Sequence, residues 1–593
     1  MKERSICIVL FCLFGVFESF PQPSLEFKSI DSLIHKPTQL TLLTKGYRFL
    51  QFEKTYFGKL EIDLESETAG REVLIRYGEK MLLPGVVDTR PGGTIRSGEY
   101  KIQLEKGRHT YRIPIPKFTP PPYAAKRAVS PPEHVGDITP FRYVEIIGYE
   151  GKLTTDDVRR ISFFYPFNDN ASFCQTSSTH LNQIWKLCKH SVKATTYAGL
   201  YVDGDRERQP YEGDTYINQL SHYAVDSEYA LTRATIDHLF AHPTWPTEWP
   251  YHMHMILWED YMYTGRIDYL ERYYNVLKEI LDKSPLDDNG LVVNIRGLDI
   301  IDWPQSERDG YTIGHINNVP NAFYNNSLRL MSRIASLLGR NSDADRFGKT
   351  AEVHRKTFDK IFWNSKIGLY RDAADSLHTA QHACIFPIAF GMASDDQIDS
   401  VRKFLKQKGM SVSVYGAQYL LDALYEMSED IHALSLITAT GNRSWINMLE
   451  QGSTITWEAW NSEVKPNLDW NHAWGTAPAN IIARRIFGIR PLEAGFSQIL
   501  YEPHIGGLTY GTYRQPTIQG DIVLSFSVIH NIVSFTTKAN APARLLLSSN
   551  DYAPSTIFVN GQNVKPHRIS DKFFIKLKPG TNQITIRTFL TGP

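Results

Sequence analysis

"LRLMSRIASLLGRNSDADRFGKTAEVHRKTFDKI", residues 328–361, decides the reading of the chain's long middle. Leu328, Met331, Ile334, Leu337 and Leu338 recur at helical spacing and line one face, and Gly339 stops the run. After Asn341-Ser342 a second amphipathic segment continues from Asp343 to Ile361, so the stretch predicts a pair of helices. Comparable helical segments fall at 180–195, 215–240, 255–282, 395–408, 415–427 and 476–487. About 310 residues of paired helices with long, aromatic-rich connections suit a helical solenoid closed into a toroid better than a bundle.

On either side the period falls to two. Between about 22 and 165, Lys59 to Glu65, Val73 to Tyr77, Tyr100 to Leu104 and Tyr143 to Ile147 alternate apolar and polar, separated by Gly- and Pro-rich breaks such as Pro91-Gly92-Gly93. This is the signature of an antiparallel β-sandwich. After Gly488-Ile489-Arg490-Pro491 the alternation returns: Asp521 to Phe526 and Val533 to Phe535 flank His530-Asn531, predicting a second, smaller all-β unit. The expected organisation is a signal segment over 1–20, an N-terminal β-sandwich over 21–165, a helical toroid over 166–488 and a C-terminal β-sandwich over 489–593.

Composition narrows the partners. With 64 Lys and Arg against 64 Asp and Glu the 593-residue chain is formally neutral, which removes the electrostatic argument for nucleic acid or an anionic membrane. Its 31 Tyr, 30 Phe and 11 Trp suit flat sugar faces as well as ordinary cores. Lys2 and Arg4 precede the apolar run Ile6 to Phe17, long enough for an export signal and short for a membrane span, so an exported protein, periplasmic or extracellular, is expected, with a non-cleaved anchor as the lesser alternative. Of the five Cys, Cys7 and Cys12 lie in that run; Cys174, Cys188 and Cys384 read as buried small hydrophobes, with a Cys174–Cys188 bridge as the lesser alternative.

Two stretches are chemically unusual. "YVDGDRERQPYEGD", residues 201–214, crowds Asp203, Asp205, Arg206, Glu207, Arg208, Glu212 and Asp214 around Tyr201 and Tyr211. Hydrolysis of a glycosidic bond needs one carboxyl to protonate the leaving oxygen and one carboxylate to activate water. Helix capping or pairing with the arginines suits Asp205 and Asp214 equally well. The second stretch, Ser453 to Gly475, sets Trp457, Trp460, Trp470 and Trp474 around Glu458 and His472. Large amphipathic rings can wall a dry pocket, or simply fill a seam between helices.

Together these segments resemble a known family. Arg206-Glu207-Arg208 with Gly213-Asp214 is similar to the "R-E-R/K-x-G-W-x-G-D" signature of the α-L-rhamnosidases, family 78 of the glycoside hydrolases; Ser453 to Asn461 resembles their "T-T-x-W-E-x-W-D". Asn471-His472 with Gly475, Asp302-Trp303 and Ile489 to Phe496 resemble further passages, in order, over roughly residues 45 to 530. The resemblance implies an (α/α)6 toroid between two β-sandwiches and an inverting, exo-acting α-L-rhamnosidase releasing terminal L-rhamnose from plant or algal material. Glu207 would be its general acid and Glu458 its general base. Asp203, Asp205, Asp214, Tyr211, Trp303, Trp457, Trp460 and His472 would contact the sugar, with nearby acids keeping a proton on Glu207. No cofactor and no catalytic metal are expected, the partner is a carbohydrate, and oligomeric state is left open.

The chain departs from the pattern around the sugar. Val202 stands where the family has an Asp before the acid, so Asp203 or Asp205 must serve; Pro210-Tyr211 replaces Gly-Trp; and the nearest acid to Trp249-Pro250-Tyr251 is Glu248. Two rivals compete: a lyase on the same scaffold, drawing on Arg206, Arg208, His222, His252 and His254, and a non-catalytic carbohydrate-binding protein. The lyase would leave Glu458 without a task, and the binding protein has no need of paired carboxyls.

Overall fold

Six helices, Glu212–Val225, Trp249–Thr264, Asn318–Leu337, Gln381–Ala389, Gly416–Glu426 and the run beginning Ala477–Ile481, pack each on the next and the last on the first, closing an inner ring. Thr179–Ala194, Ala230–Ala241, Asp268–Asp282, Asn341–Phe362, Asp395–Lys408 and Asp430–Ile437 pack outside it, which makes the toroid of six helical hairpins. The computed structural model describes residues 25–548, 554–569 and 572–588. The signal-like residues 1–20, with Cys7 and Cys12, lie outside them. Among the described residues no helix is long and apolar enough to cross a membrane.

Burial explains which helices the sequence displays. In Asn341–Phe362 only Phe347, Ala351, His354, Phe358 and Phe362 are buried, one stripe on an outer helix. In Glu212–Val225 every residue is buried, so no polar face marks it. Leu328, Met331 and Ile334 are buried as expected, but Leu337, at the end of its helix, is exposed. The segments 215–240 and 255–282 each divide into two helices; the second breaks at Gly265, whose φ of +71° is a left-handed C-cap open to glycine.

The N-terminal β unit is built on one 20-residue strand, Tyr47–Ser66. Its first half pairs with Gln39–Thr44 and its second with Gly107–Ile113 and Val158–Phe164, while Thr139–Ile147 pairs with it on both sides of a register shift between Gln51 and Tyr56. Leu50 and Phe52 from one half and Leu60, Ile62 and Leu64 from the other share a core with Val73, Ile75 and Ile146. The C-terminal unit packs a seven-stranded sheet against a five-stranded one. Ile522–Ile529 and Ile532–Ala539 form a hairpin around His530, as the alternation indicates. One edge of the larger sheet is not C-terminal: Phe173–Thr176, just before the first helix, pairs with Tyr510–Gln515. Cys174, Cys188 and Cys384 are buried and free, their thiols pushed up by burial.

Candidate active site

The charged stretch is a closed loop. The Asp203 N–H donates to the Gln209 carbonyl at 2.9 Å and the Arg208 N–H to that of Gly204 at 3.0 Å, immediately before the inner helix Glu212–Val225. The bend leaves Arg208 at φ +51°, in the left-handed region that non-glycine residues occupy only under constraint. Asp205 supplies the constraint, accepting from Arg208 Nε and Nη2 at 2.8 and 2.6 Å and from Arg96 of the β unit. The Asp205 N–H donates to Asn471 Oδ1 at 2.8 Å, tying the loop to the second unusual stretch.

That second stretch folds back on itself. The Glu458 N–H donates to the Asp469 carbonyl at 3.1 Å, the His472 N–H to that of Thr456 at 2.9 Å, and Trp474 Nε1 to that of Glu458 at 3.0 Å. Loop and stretch meet across a cavity of about 320 Å³. Glu207, Glu458, Asp203, Asp214, Tyr211, Trp303 and His472 line it, so residues more than two hundred positions apart share one wall.

Asp205, Trp457 and Trp460 do not reach the cavity, which corrects their expected contact with sugar. Asp205 is taken up in its arginine pairs. Trp457 stacks on Trp470, ring centroids 4.7 Å apart, and Trp460 lies edge-on to Trp445 at 5.0 Å with its Nε1 donating to the Val412 carbonyl at 2.7 Å. They are core rings that hold the Glu458 segment. The aromatic wall is instead Trp245, Trp249 and Trp474 with Trp303, and Lys465, Asn467 and Tyr123 add to the lining. Trp245 and Trp249 stand in the Pro-rich "PTWPTEWP" stretch, residues 243–250, whose density of rings is a visible signal. Tyr123 comes from the N-terminal β unit and had none.

Arg206 organises the acids. Its Nη2 donates to Glu207 Oε1 at 2.8 Å and to Glu458 Oε1 at 2.7 Å, and its Nη1 donates to Glu458 Oε2 at 2.8 Å. Because one nitrogen serves both carboxylates, their nearest oxygens lie within roughly 5.5 Å, the reach of those two bonds together. Glu207 also accepts from Tyr123 Oη at 2.9 Å and, through Oε2, from Tyr211 Oη at 2.8 Å. Lys465 Nζ lies 3.2 Å from Glu458 Oε1 and 5.1 Å from the centre of the Trp303 ring.

Environment separates the carboxyls. Burial opposes ionisation of Glu458, but its bonds to Arg206 and the positive neighbours outweigh this and hold it at about 2, so it is a carboxylate throughout the working range. Asp203 is pushed well above the usual carboxylate range by burial and then by Glu207. Burial raises Asp214 too, partly offset by His472, whose Nε2 is 2.7 Å from Asp214 Oδ1. Glu248 accepts from the Ile300 N–H at 3.1 Å and the Ile301 N–H at 2.8 Å, holding Ile301 at φ +62° beside Trp303. A β-branched residue there stores on the order of 1–3 kcal/mol, so this turn is held by its surroundings. Glu458, Asp469 and His472 offer ligand atoms within 4.8 Å of one another. The guanidinium and ammonium already on Glu458 oppose a cation there.

Residues 169–486 match the family described as the bacterial α-L-rhamnosidase six-hairpin glycosidase domain. The chain is 22% identical to an α-L-rhamnosidase of Formosa agariphila over 86% of its own length and 57% of the relative's, and 25% identical to one of Alteromonas sp. over 49% and 33%. It thus spans little more than half the length of the Formosa relative and a third of the Alteromonas one. Among solved structures it superposes on the α-L-rhamnosidase of Dictyoglumus thermophilum with a TM-score of 0.78 at 19% identity, covering 94% of this chain and 64% of that one. On the Streptomyces avermitilis α-L-rhamnosidase complexed with L-rhamnose the TM-score is 0.73 at 17% identity, over 94% and 54%.

Proposed function

Since the chain belongs to the bacterial α-L-rhamnosidase six-hairpin glycosidase family, we propose that it hydrolyses α-L-rhamnosides, with Glu207 as general acid and Glu458 as general base. One observation carries the reading: Glu207 and Glu458 face a single tryptophan-walled cavity and share one arginine. A cavity of about 320 Å³ suits one sugar ring better than a run of them, which supports removal of a terminal residue. Rhamnose carries a methyl group and no charge, and the aromatic wall offers such a ring a stacking surface while the polar groups beside it offer hydroxyl partners.

Glu458, fixed as a carboxylate, is ready to accept a proton from water, while Tyr123 and Tyr211 hold Glu207 toward the cavity. An inverting course calls for carboxyls roughly 6.5–9.5 Å apart. The nearest oxygens sit closer here because Arg206 draws them together, so on this proposal a bound sugar and its attacking water displace Glu207 from Arg206 and widen the gap. The leader-like residues 2–17 support export of the enzyme, and the natural substrates would be rhamnose-bearing plant or algal glycosides.

The test is hydrolysis of aryl α-L-rhamnoside beside the corresponding D-glucuronide, L-arabinoside and D-glucoside, with the first-formed anomer followed by proton NMR. Glu207→Gln and Glu458→Gln should each lower kcat by about 10²–10⁴. Unchanged rates in both variants would remove the assignment, and first-formed α-rhamnose would remove the inverting course.

A further inference from the structure

A second cavity, of about 600 Å³, lies between the N-terminal β unit and the first helix of the toroid, away from the acids. Lys36, Lys54, Arg160, Lys186, Lys189 and Lys193 line it, against only Glu53 and Asp169 as carboxylates. The helix Thr179–Ala194 presents Lys186, Lys189 and Lys193 on one face by their three- and four-residue spacing, and Arg160 faces them from strand Val158–Phe164.

Lys36 and Lys186 are exposed and Lys54 is half-buried, as a solvated lysine face would be, but the other three cations are buried. Arg160 is 1% exposed, Lys193 4% and Lys189 9%. Among the described residues Arg160 has no carboxylate partner. Its Nε donates to Ser162 Oγ at 3.0 Å and its Nη1 to the Phe141 carbonyl at 2.6 Å, with the guanidinium 4.5 Å from the centre of the Phe52 ring. Lys189 donates to the Asp169 and Ser172 carbonyls at 2.7 and 3.1 Å; of the three buried cations Lys193 alone reaches a carboxylate, Asp169 Oδ2 at 2.6 Å, while the exposed Lys36 pairs with Asp156 Oδ1 at 2.8 Å. Burial pulls Arg160 down to about 9 and Lys189 to about 8, the mark of positive charge short of a counter-charge. Gathering such groups around an open cavity is unfavourable unless an anion enters it.

We infer that this cavity binds a small oxyanion: free phosphate or sulfate, or the sulfate or carboxylate of an acidic sugar. Its volume holds a charged sugar as readily as an inorganic ion. The site is independent of the rhamnosidase reading.

The inference is tested by calorimetric titration of the full chain with sodium sulfate, sodium phosphate, D-glucose 6-sulfate and D-glucuronate, each against sodium chloride at matched ionic strength. Lys54 is half-buried and Lys186 exposed, so the double variant Lys54→Ser/Lys186→Ser leaves the fold intact while removing two cations. One-to-one saturable binding of at least one probe is expected, weakened roughly tenfold or more in the double variant and unchanged in Glu207→Gln. Tighter binding of the sugar-borne anions than of the inorganic ones identifies an acidic sugar as ligand; equal or weaker binding identifies a free oxyanion. No saturable binding beyond chloride, wild-type affinity in the double variant, or loss of binding in Glu207→Gln overturns the inference.

Discussion

Replacing Arg206 by Gln removes the group that keeps Glu458 ionised. Two charge-assisted bonds, 2.7 and 2.8 Å long, join that guanidinium to the carboxylate, and Lys465 at 3.2 Å is the remaining cation on it. Glu458 is 2% exposed, so its burial penalty persists in the variant. Breaking a buried pair by deleting one partner costs about 3–5 kcal/mol. At about 1.4 kcal/mol per pKa unit, losing even the lower figure lifts Glu458 by roughly two units, from about 2 toward or above its ordinary 4.5. A depressed carboxyl stabilises the fold fully above its unfolded value and loses that contribution as pH falls through its folded one. The stability gap between wild type and variant should therefore be full above about pH 4.5 and close toward pH 2. In activity, the wild type shows no acid limb from Glu458 between pH 4 and 8, whereas the variant acquires one near pH 4–6 beside a kcat/KM loss of about 10²-fold or more. The assays are kcat/KM against pH and thermal melts at pH 3, 5 and 7. A variant with the wild-type pH profile, or a melting gap that widens as pH falls, would refute the reasoning.

Tyr123→Phe removes one hydrogen bond to Glu207 at 2.9 Å from a residue on the surface, so kcat/KM should drop by roughly 3- to 30-fold with the melting temperature unchanged. Trp303→Ala should raise KM on the aryl rhamnoside with little loss of stability, because its ring lines the cavity. Trp460→Ala, emptying a fully buried site, should instead destabilise by about 3–5 kcal/mol, read as a lowered urea midpoint. Gly213→Ala would put a Cβ 2.8 Å from the Trp249 ring, so Trp249 must yield and KM should rise several-fold; an unchanged KM would show that the ring is not fixed by that contact.

The helices legible in the sequence are those with one wet face. Asn341–Phe362 shows its stripe because its other side meets water, whereas Gln381–Ala389, apolar almost throughout and holding Pro387 inside it, offers no period to read. In the site, charge density and tryptophan density pointed to the right stretches, and Glu207 and Glu458 do share a cavity. Residue type could not tell Trp474, which faces that cavity, from Trp457 and Trp460, which pack behind it, since a ring suits either place. Groups brought in from the β unit were invisible: Tyr123 on Glu207, Arg96 on Asp205, and Glu79, which accepts from Asn471 at 3.1 Å. No periodicity in one segment reports a partner contributed by another. Tyr123, Tyr211 and Arg206 all donate to Glu207, while burial raises Asp203 well above the usual carboxylate range.

The strand Phe173–Thr176 has a consequence for how such a chain can be divided. It stands ahead of the first helix yet completes a sheet whose other strands all follow residue 509, and Tyr513 in that sheet packs on Trp185 and donates to the Ala224 carbonyl at 2.7 Å. Severing the chain after Gly488 would strip an edge from one piece and bare an aromatic seam on the other. The C-terminal β unit is thus interlocked with the ring rather than appended to it, and recombination between relatives should succeed only where both sides of that clasp travel together.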